Sequence, residues 1–268
     1  MFIIACFIGL CISIKKNTRY FRKGAFIMFF IFKRRSFISV IVVSALFLSI
    51  GIYAVLSAPN RIEPTISWVL AEKTILIDPG HGGTFPGRVN DDNILEKDIN
   101  LQIALKVEQY LTETGANVLM TRRTDTDLVP DTAQKEKLLL QQRADLEQRV
   151  QISEDSHADY MLSIHCNSIP NEKWFGAQVF YNPEDEQSKA LAKSIQNMLN
   201  QHLEGNVREA LPREDTYLFK NAAATTVIIE CGFLSNPEEA KHLQDSTYQE
   251  QLAWSIYLGL QNYLKESL

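Results

Sequence analysis

The chain has 268 residues, 46% of them hydrophobic, enough to build the core of one catalytic-size domain with an appendage. Its charge is unevenly spread. Residues 1–60 hold eight basic residues (Lys15, Lys16, Arg19, Arg22, Lys23, Lys33, Arg34 and Arg35) and no acidic ones, leaving 19 basic and 32 acidic residues, a net of −13, in residues 61–268. An acidic body of that kind excludes nucleic-acid binding as the main role, because phosphate contacts need a basic face.

The front of the chain reads as a leader and an anchor. Met28 opens a basic-then-apolar leader, so residues 1–27 read as an extension ahead of the true start, and residues 1–35 together as a basic leader. Ser36 to Ala58 is an uncharged, mostly apolar run. As a helix rising about 1.5 Å per residue it is long enough to cross a hydrocarbon core of about 30 Å. Lys33, Arg34 and Arg35 directly precede it, which under the positive-inside tendency places the N-terminus in the cytoplasm and everything beyond the span outside. The expectation is a transmembrane signal-anchor over 36–58 and an extracytoplasmic body. Secretion after cleavage within "YAVLSAPN" is the alternative, although Val55 and Leu56 match an A-x-A-like site poorly. Residues 59–72, with two prolines, read as a linker, and 73–268 as the catalytic domain. Only Cys166 and Cys231 fall in that domain, too few for a disulfide scaffold.

From residue 74 onward, strands and helices alternate. Thr74–Asp78, Val118–Thr121, Tyr160–His165 and Thr226–Cys231 are short continuous apolar runs, as expected of strands covered on both faces, and Ala177–Tyr181 is a fifth candidate. Asp98–Thr114 reads as a helix burying Ile99, Ile103, Val107 and Leu111 and stopped by Gly115. Residues 132–156 are charged and helix-prone and read as one solvated helix. Leu191, Ile195, Met198, Leu199 and Leu203 form a helical stripe, and Leu252, Ile256, Leu260 and Leu264 line a last helix. Asn236 followed by Pro237, Glu238 and Glu239 is a helix start: a capping side chain, a proline at the first position and acids at the positive dipole end. The pattern predicts a three-layer α/β domain.

In open α/β sheets, sites form beyond the carboxyl ends of the strands. His81 lies three residues past the first strand, His165 ends the Tyr160 run and Glu230 nearly ends the Thr226 run. Glu96 can join them if the glycine-rich loop "PGHGGTFPG" folds back. Two imidazoles and a carboxylate make a catalytic zinc set with one position left open, and a carboxylate off the metal would serve as the base. Position alone leaves structural histidines as an equal reading, since no H-E-x-x-H spacing is present; His157, His202 and His242 sit in polar or helical settings and read as structural or solvated. Glu230, bounded by apolar residues, needs either a basic partner or a functional reason. Cys166 and Cys231 each follow a candidate residue within a strand, so they should face the opposite side. A disulfide between them requires their strands to adjoin.

"ILIDPGHGG", "LEKDINLQIA", "TRRTD", "DYMLSIHCNS" and "VIIECGFLSN" together resemble the zinc-dependent N-acetylmuramoyl-L-alanine amidases of the amidase-3 type, over residues 74–264. "KWFGAQVFYNP" resembles their short, membrane-anchored members associated with spore cortex modification and germination. The resemblance implies a mostly parallel or mixed sheet of about six strands flanked by helices, His81, Glu96 and His165 as zinc ligands, and Glu230 as the catalytic residue. It implies cleavage of the amide between the lactyl group of muramic acid and L-alanine in peptidoglycan. A zinc peptidase cutting the stem peptide and a non-catalytic wall-binding module remain the competing readings. Two features depart from the family's pattern. Residues 84–93, "TFPGRVNDDN", place Phe85, Pro86 and Arg88 where relatives often carry small residues, and no cell-wall-binding repeat follows the domain, which fits a protein held near its substrate by an anchor. No pattern in the sequence names an activating protein partner.

Overall fold

The computed structural model describes residues 39, 43–49, 68–130 and 132–267. The chain divides into two units, 1–63 and 64–268. Most of the 36–58 span expected to cross a membrane lies outside the described residues, and no helix among the described residues is long and apolar enough to cross one.

The second unit is a six-stranded sheet in the order β2–β1–β3–β6–β4–β5, built from β1 (Thr74–Pro79), β2 (Asn117–Met120), β3 (Tyr160–Asn167), β4 (Gln178–Tyr181), β5 (Leu211–Pro212) and β6 (Thr225–Phe233). β1, β2, β3 and β6 run parallel, while β4 pairs antiparallel with β6. The mixed sheet is thus the expected one, and the fifth candidate strand forms. β5 and the short helix α5 (Tyr217–Asn221) carry too little periodicity to be read from sequence.

Side-chain alternation sorts the core into two sides. Ile75, Ile77, Leu162, Ile164, Val179, Val227 and Ile229 face one side, where they pack with α2 (Glu96–Glu113), α4 (Glu186–His202) and α7 (Ser246–Glu266) in the main apolar cluster. Leu76 and Met161, pointing oppositely, pack with Val150 of α3 (Leu138–Asp155) and Leu218 of α5. Ile99, Ile103, Val107 and Leu111 are buried as the helical reading of that stretch required, and Gly115 ends the turn after it at φ +84°. Of the next stripe, Leu191, Ile195, Leu199 and Leu203 are buried and Met198 is half-buried. Asn236 caps α6 (Pro237–Gln244) by accepting from the N–H groups of Glu238 and Glu239 at 3.0 and 3.1 Å.

Three details differ from the sequence reading. Residues 68–71, within the expected linker, form helix α1 (Trp68–Ala71) and bury Leu70 completely. The charged 132–156 stretch becomes helical only at Leu138, and it is not simply solvated: Asp145, Arg149, Val150 and Ser153 are buried. A charged helix looks solvated when its polar residues are taken singly; here an aspartate and an arginine one turn apart pair with each other and with the sheet edge. Glu96 stands in the first turn of α2 rather than in the loop before it.

Candidate metal centre and active site

Parallel β1, β3 and β6 bring their carboxyl ends to one edge, and with them His81, His165 and Glu230. Leaving β1, the chain turns sharply. His81 takes φ +63°, a costly conformation for a residue with a side chain. Two buried arginines hold the turn. Arg149 donates through Nη2 to the His81 carbonyl at 2.9 Å and through Nη1 to the Pro79 carbonyl at 3.1 Å. Arg122 donates through Nε to the Pro79 carbonyl at 3.0 Å and through Nη2 to the Gly80 carbonyl at 3.1 Å. Three successive carbonyls are thereby fixed, and the His81 ring with them.

Arg149 is itself neutralised beneath the site. Asp78, fully buried, accepts from Thr121 Oγ1 at 2.7 Å, from Ser163 Oγ at 2.8 Å and from Arg149 Nη1. Asp145 accepts from Arg149 Nε and from the Leu128 N–H. Burial alone would raise the Asp78 pKa, but Arg149 and the two hydroxyls outweigh it and hold the carboxyl below its ordinary range.

The glycine-rich loop does fold back. The Glu96 N–H donates to the Arg88 carbonyl at 2.9 Å, and the Arg88 N–H donates in return to Glu96 Oε2 at 2.8 Å. The tract that departs from the family's pattern therefore supplies a backbone donor to a candidate ligand. Glu96 Oε1 lies 3.2 Å from His81 Nε2 and 3.0 Å from His165 Nδ1, with the two imidazole rings edge-on at 5.0 Å. Asn100, one turn along α2, donates to the Gly80 carbonyl at 3.1 Å and stands 3.4 Å from Glu96 Oε1. Burial would raise the Glu96 pKa, but His165 and His81 outweigh it and hold the carboxyl well below the usual carboxylate range.

The three ligand atoms all lie within 4.8 Å of one another. Two donors each about 2.0–2.1 Å from a shared tetrahedral zinc stand roughly 3.3 Å apart, so the 3.2 and 3.0 Å separations of the two histidines from Glu96 suit such an ion. Two glycines keep the space clear. A Cβ on Gly80 would come within 2.1 Å of the His165 ring, and one on Gly87, at φ +68°, would meet Glu96 Oε2 at 2.5 Å and the His81 ring at 2.6 Å. Donor chemistry, spacing and cradle all fit a metal ion.

Glu230 pairs in register with His165, so their side chains share a face. It is 7% exposed. Oε1 accepts from Arg213 Nη1 at 3.2 Å, whereas Oε2 is buried with no donor. Burial pushes its pKa up, and His165 and Arg213 only partly offset that. Of the two explanations sequence left open for a buried Glu230, the structure thus supplies the basic partner while leaving one oxygen free. Cys166 and Cys231 are both free thiols in the main apolar cluster, turned from this face as alternation required.

Arg213, Arg122, Arg149 and Asn100 were not singled out by sequence reasoning. Arg122 and Asn100 lie inside the "TRRTD" and "LEKDIN" stretches, a usable signal; Arg149 and Arg213 lie in charged tracts with none.

Three protein donors are the set of a catalytic rather than a structural metal site, so this sheet edge is that of a metal-dependent enzyme. The family model for N-acetylmuramoyl-L-alanine amidase matches residues 75–262, and the chain belongs to that family. It is 43% identical over 198 residues to the germination-specific N-acetylmuramoyl-L-alanine amidase of Bacillus subtilis, covering 74% of this chain and 82% of that one. Among solved structures, the CwlD amidase of Clostridioides difficile, determined in complex with the GerS lipoprotein, is 43% identical with a TM-score of 0.70, covering 72% of this chain and 99% of that one. An N-acetylmuramoyl-L-alanine amidase from Clostridium difficile 630 is 30% identical with a TM-score of 0.64, covering 74% and 100%.

Proposed function

We propose that this chain is a zinc-dependent amidase that hydrolyses the bond between the lactyl group of N-acetylmuramic acid and L-alanine in peptidoglycan. The observation that carries the reading is the meeting of His81, Glu96 and His165, ligand atoms within 4.8 Å, beside a buried Glu230 whose Oε2 lacks a donor. His81, Glu96 and His165 would hold the ion. Bound zinc supplies Lewis acidity toward a carbonyl and lowers the pKa of water from 15.7 to about 7. Glu230 then serves as general base and acid: it takes a proton from the attacking water as the lactyl carbonyl is attacked, and delivers it to the departing alanine nitrogen. Its raised proton affinity suits it to both halves of that exchange. Arg122 and Arg149 hold the His81 turn in place, so little reorganisation is needed when substrate arrives.

The chain's setting is inferred from the same resemblance and from charge. The apolar 36–58 run behind Lys33, Arg34 and Arg35 supports a membrane anchor with the catalytic domain outside the cytoplasm. The likeness to a germination-specific amidase supports spore cortex as the substrate. Incubating the purified protein with cortex and with vegetative sacculi, then weighing the muropeptides, tests the bond cut and the choice of substrate. Stem peptides released with a free L-alanine amine, and faster from cortex, are expected; cuts between two amino acids would replace the amidase reading with a peptidase.

A further inference from the structure

Arg213 follows β5 and continues its ladder, its N–H donating to the Tyr181 carbonyl at 3.0 Å. The cross-strand pairs Phe180–Leu211, Phe180–Ile228, Gln178–Glu230 and His165–Glu230 place Arg213, Phe180, Glu230 and His165 on one face of the sheet. Arg213 Cζ stands 3.7 Å from the Phe180 ring centroid, and that ring packs in turn with Phe219 and Ile228. A planar guanidinium can stack on an aromatic face and still donate at its edge, which an ammonium cannot do as well.

The contact with Glu230 is one-sided. An arginine present only to neutralise a buried carboxylate would engage both oxygens in the favourable bidentate geometry; here Nη1 reaches Oε1 alone and Oε2 is buried without a donor. We propose that Arg213 is a positioning residue for Glu230: braced on Phe180, it holds Oε1 and leaves Oε2 as the oxygen that takes and returns the proton. The inference rests on the reading of Glu230 as the base.

The test compares kcat and KM on purified muropeptides for Arg213→Gln, Arg213→Lys, Arg213→Ala, Phe180→Leu and Glu230→Gln, each checked for zinc content and folding. Arg213→Gln should lower kcat about 10–100-fold with KM within about threefold, the signature of a lost transition-state interaction. Arg213→Lys should remain at least about threefold slow, because the stacked fork is missing. Phe180→Leu, which leaves the ion pair possible but unbraced, should lower kcat about 3–10-fold. Added guanidinium ion should raise the kcat of Arg213→Ala about fivefold or more, a rescue that a purely structural role would not show. Wild-type kcat in Arg213→Gln, a loss confined to KM, or a loss explained by missing zinc would overturn the inference. The two readings fail separately: an active Glu230→Gln removes the base assignment and the positioning role with it. An inactive Glu230→Gln beside a fully active Arg213→Gln removes the positioning role alone.

Discussion

Asp78 and Glu230 are both strand carboxylates, both buried and both beside an arginine, yet their environments drive them in opposite directions. Asp78 has two hydroxyls and Arg149 on its oxygens, with Arg149 itself paired to Asp145, and its proton affinity is lowered. Glu230 has one contact to Arg213, a second oxygen with no donor, and a raised proton affinity. The difference separates a buried charge that serves as scaffold from one left with capacity for chemistry. A fully satisfied carboxylate holds geometry; a half-satisfied one has capacity left for a substrate or a proton.

The strongest way to break the comparison is to remove the centre that both carboxylates serve. His165→Ala should lose zinc, measured by metal analysis, and with it all turnover. Removing metal from the wild-type protein with a chelator should do the same, and adding zinc back should restore activity. Next in size is Asp78→Asn, which strips a partner from buried Arg149. It should cost about 1–3 kcal/mol in denaturant unfolding, because buried Arg149 keeps Asp145 but loses one of its two carboxylate partners.

The pH dependence sharpens the contrast. With a folded pKa below its unfolded value of about 3.9, Asp78 contributes stability that is present above that pH and lost as pH falls below it. Asp78→Asn should therefore flatten the acid limb of a melting-temperature profile. Glu230 has the opposite sign: its raised folded pKa makes the ionised form a burden as pH rises through that value. In metal-free protein at neutral pH, Glu230→Gln should therefore melt higher than wild type, with the gap closing as pH falls. Gly80→Ala acts on the centre itself. A Cβ there would stand 2.1 Å from the His165 ring, so the ring must shift. Metal affinity should fall about 10–100-fold, as when groups that orient a ligand are altered, with the fold intact by circular dichroism.

Much of this edge is legible in the sequence. Continuous apolar runs marked strands covered on both faces, and strand ends marked His81, His165 and Glu230, because a parallel sheet must bring its carboxyl ends together. Glu96 was reachable through the glycines that let the loop double back. What stayed hidden was pairing across long separations. Arg149 sits 71 residues from Asp78, in a helix whose charges look solvated one by one. Arg213 follows a two-residue strand too short for any periodicity to show. The burial of such residues depends on which partner arrives from elsewhere in the chain, and a local pattern cannot encode that. The β3–β6 register also slips between His165 and Asn167, an irregularity at the site that alternation alone does not foresee.

The most direct test of the account is a paired measurement on Glu230→Gln and the wild-type protein: zinc content, and mass-resolved products from peptidoglycan. Wild-type protein should free stem peptides at L-alanine, and Glu230→Gln should keep its zinc while losing about 10²–10⁴-fold in rate. Wild-type turnover in Glu230→Gln, or loss of its zinc together with its activity, would contradict the assignment of Glu230 as the base beside a three-ligand metal centre.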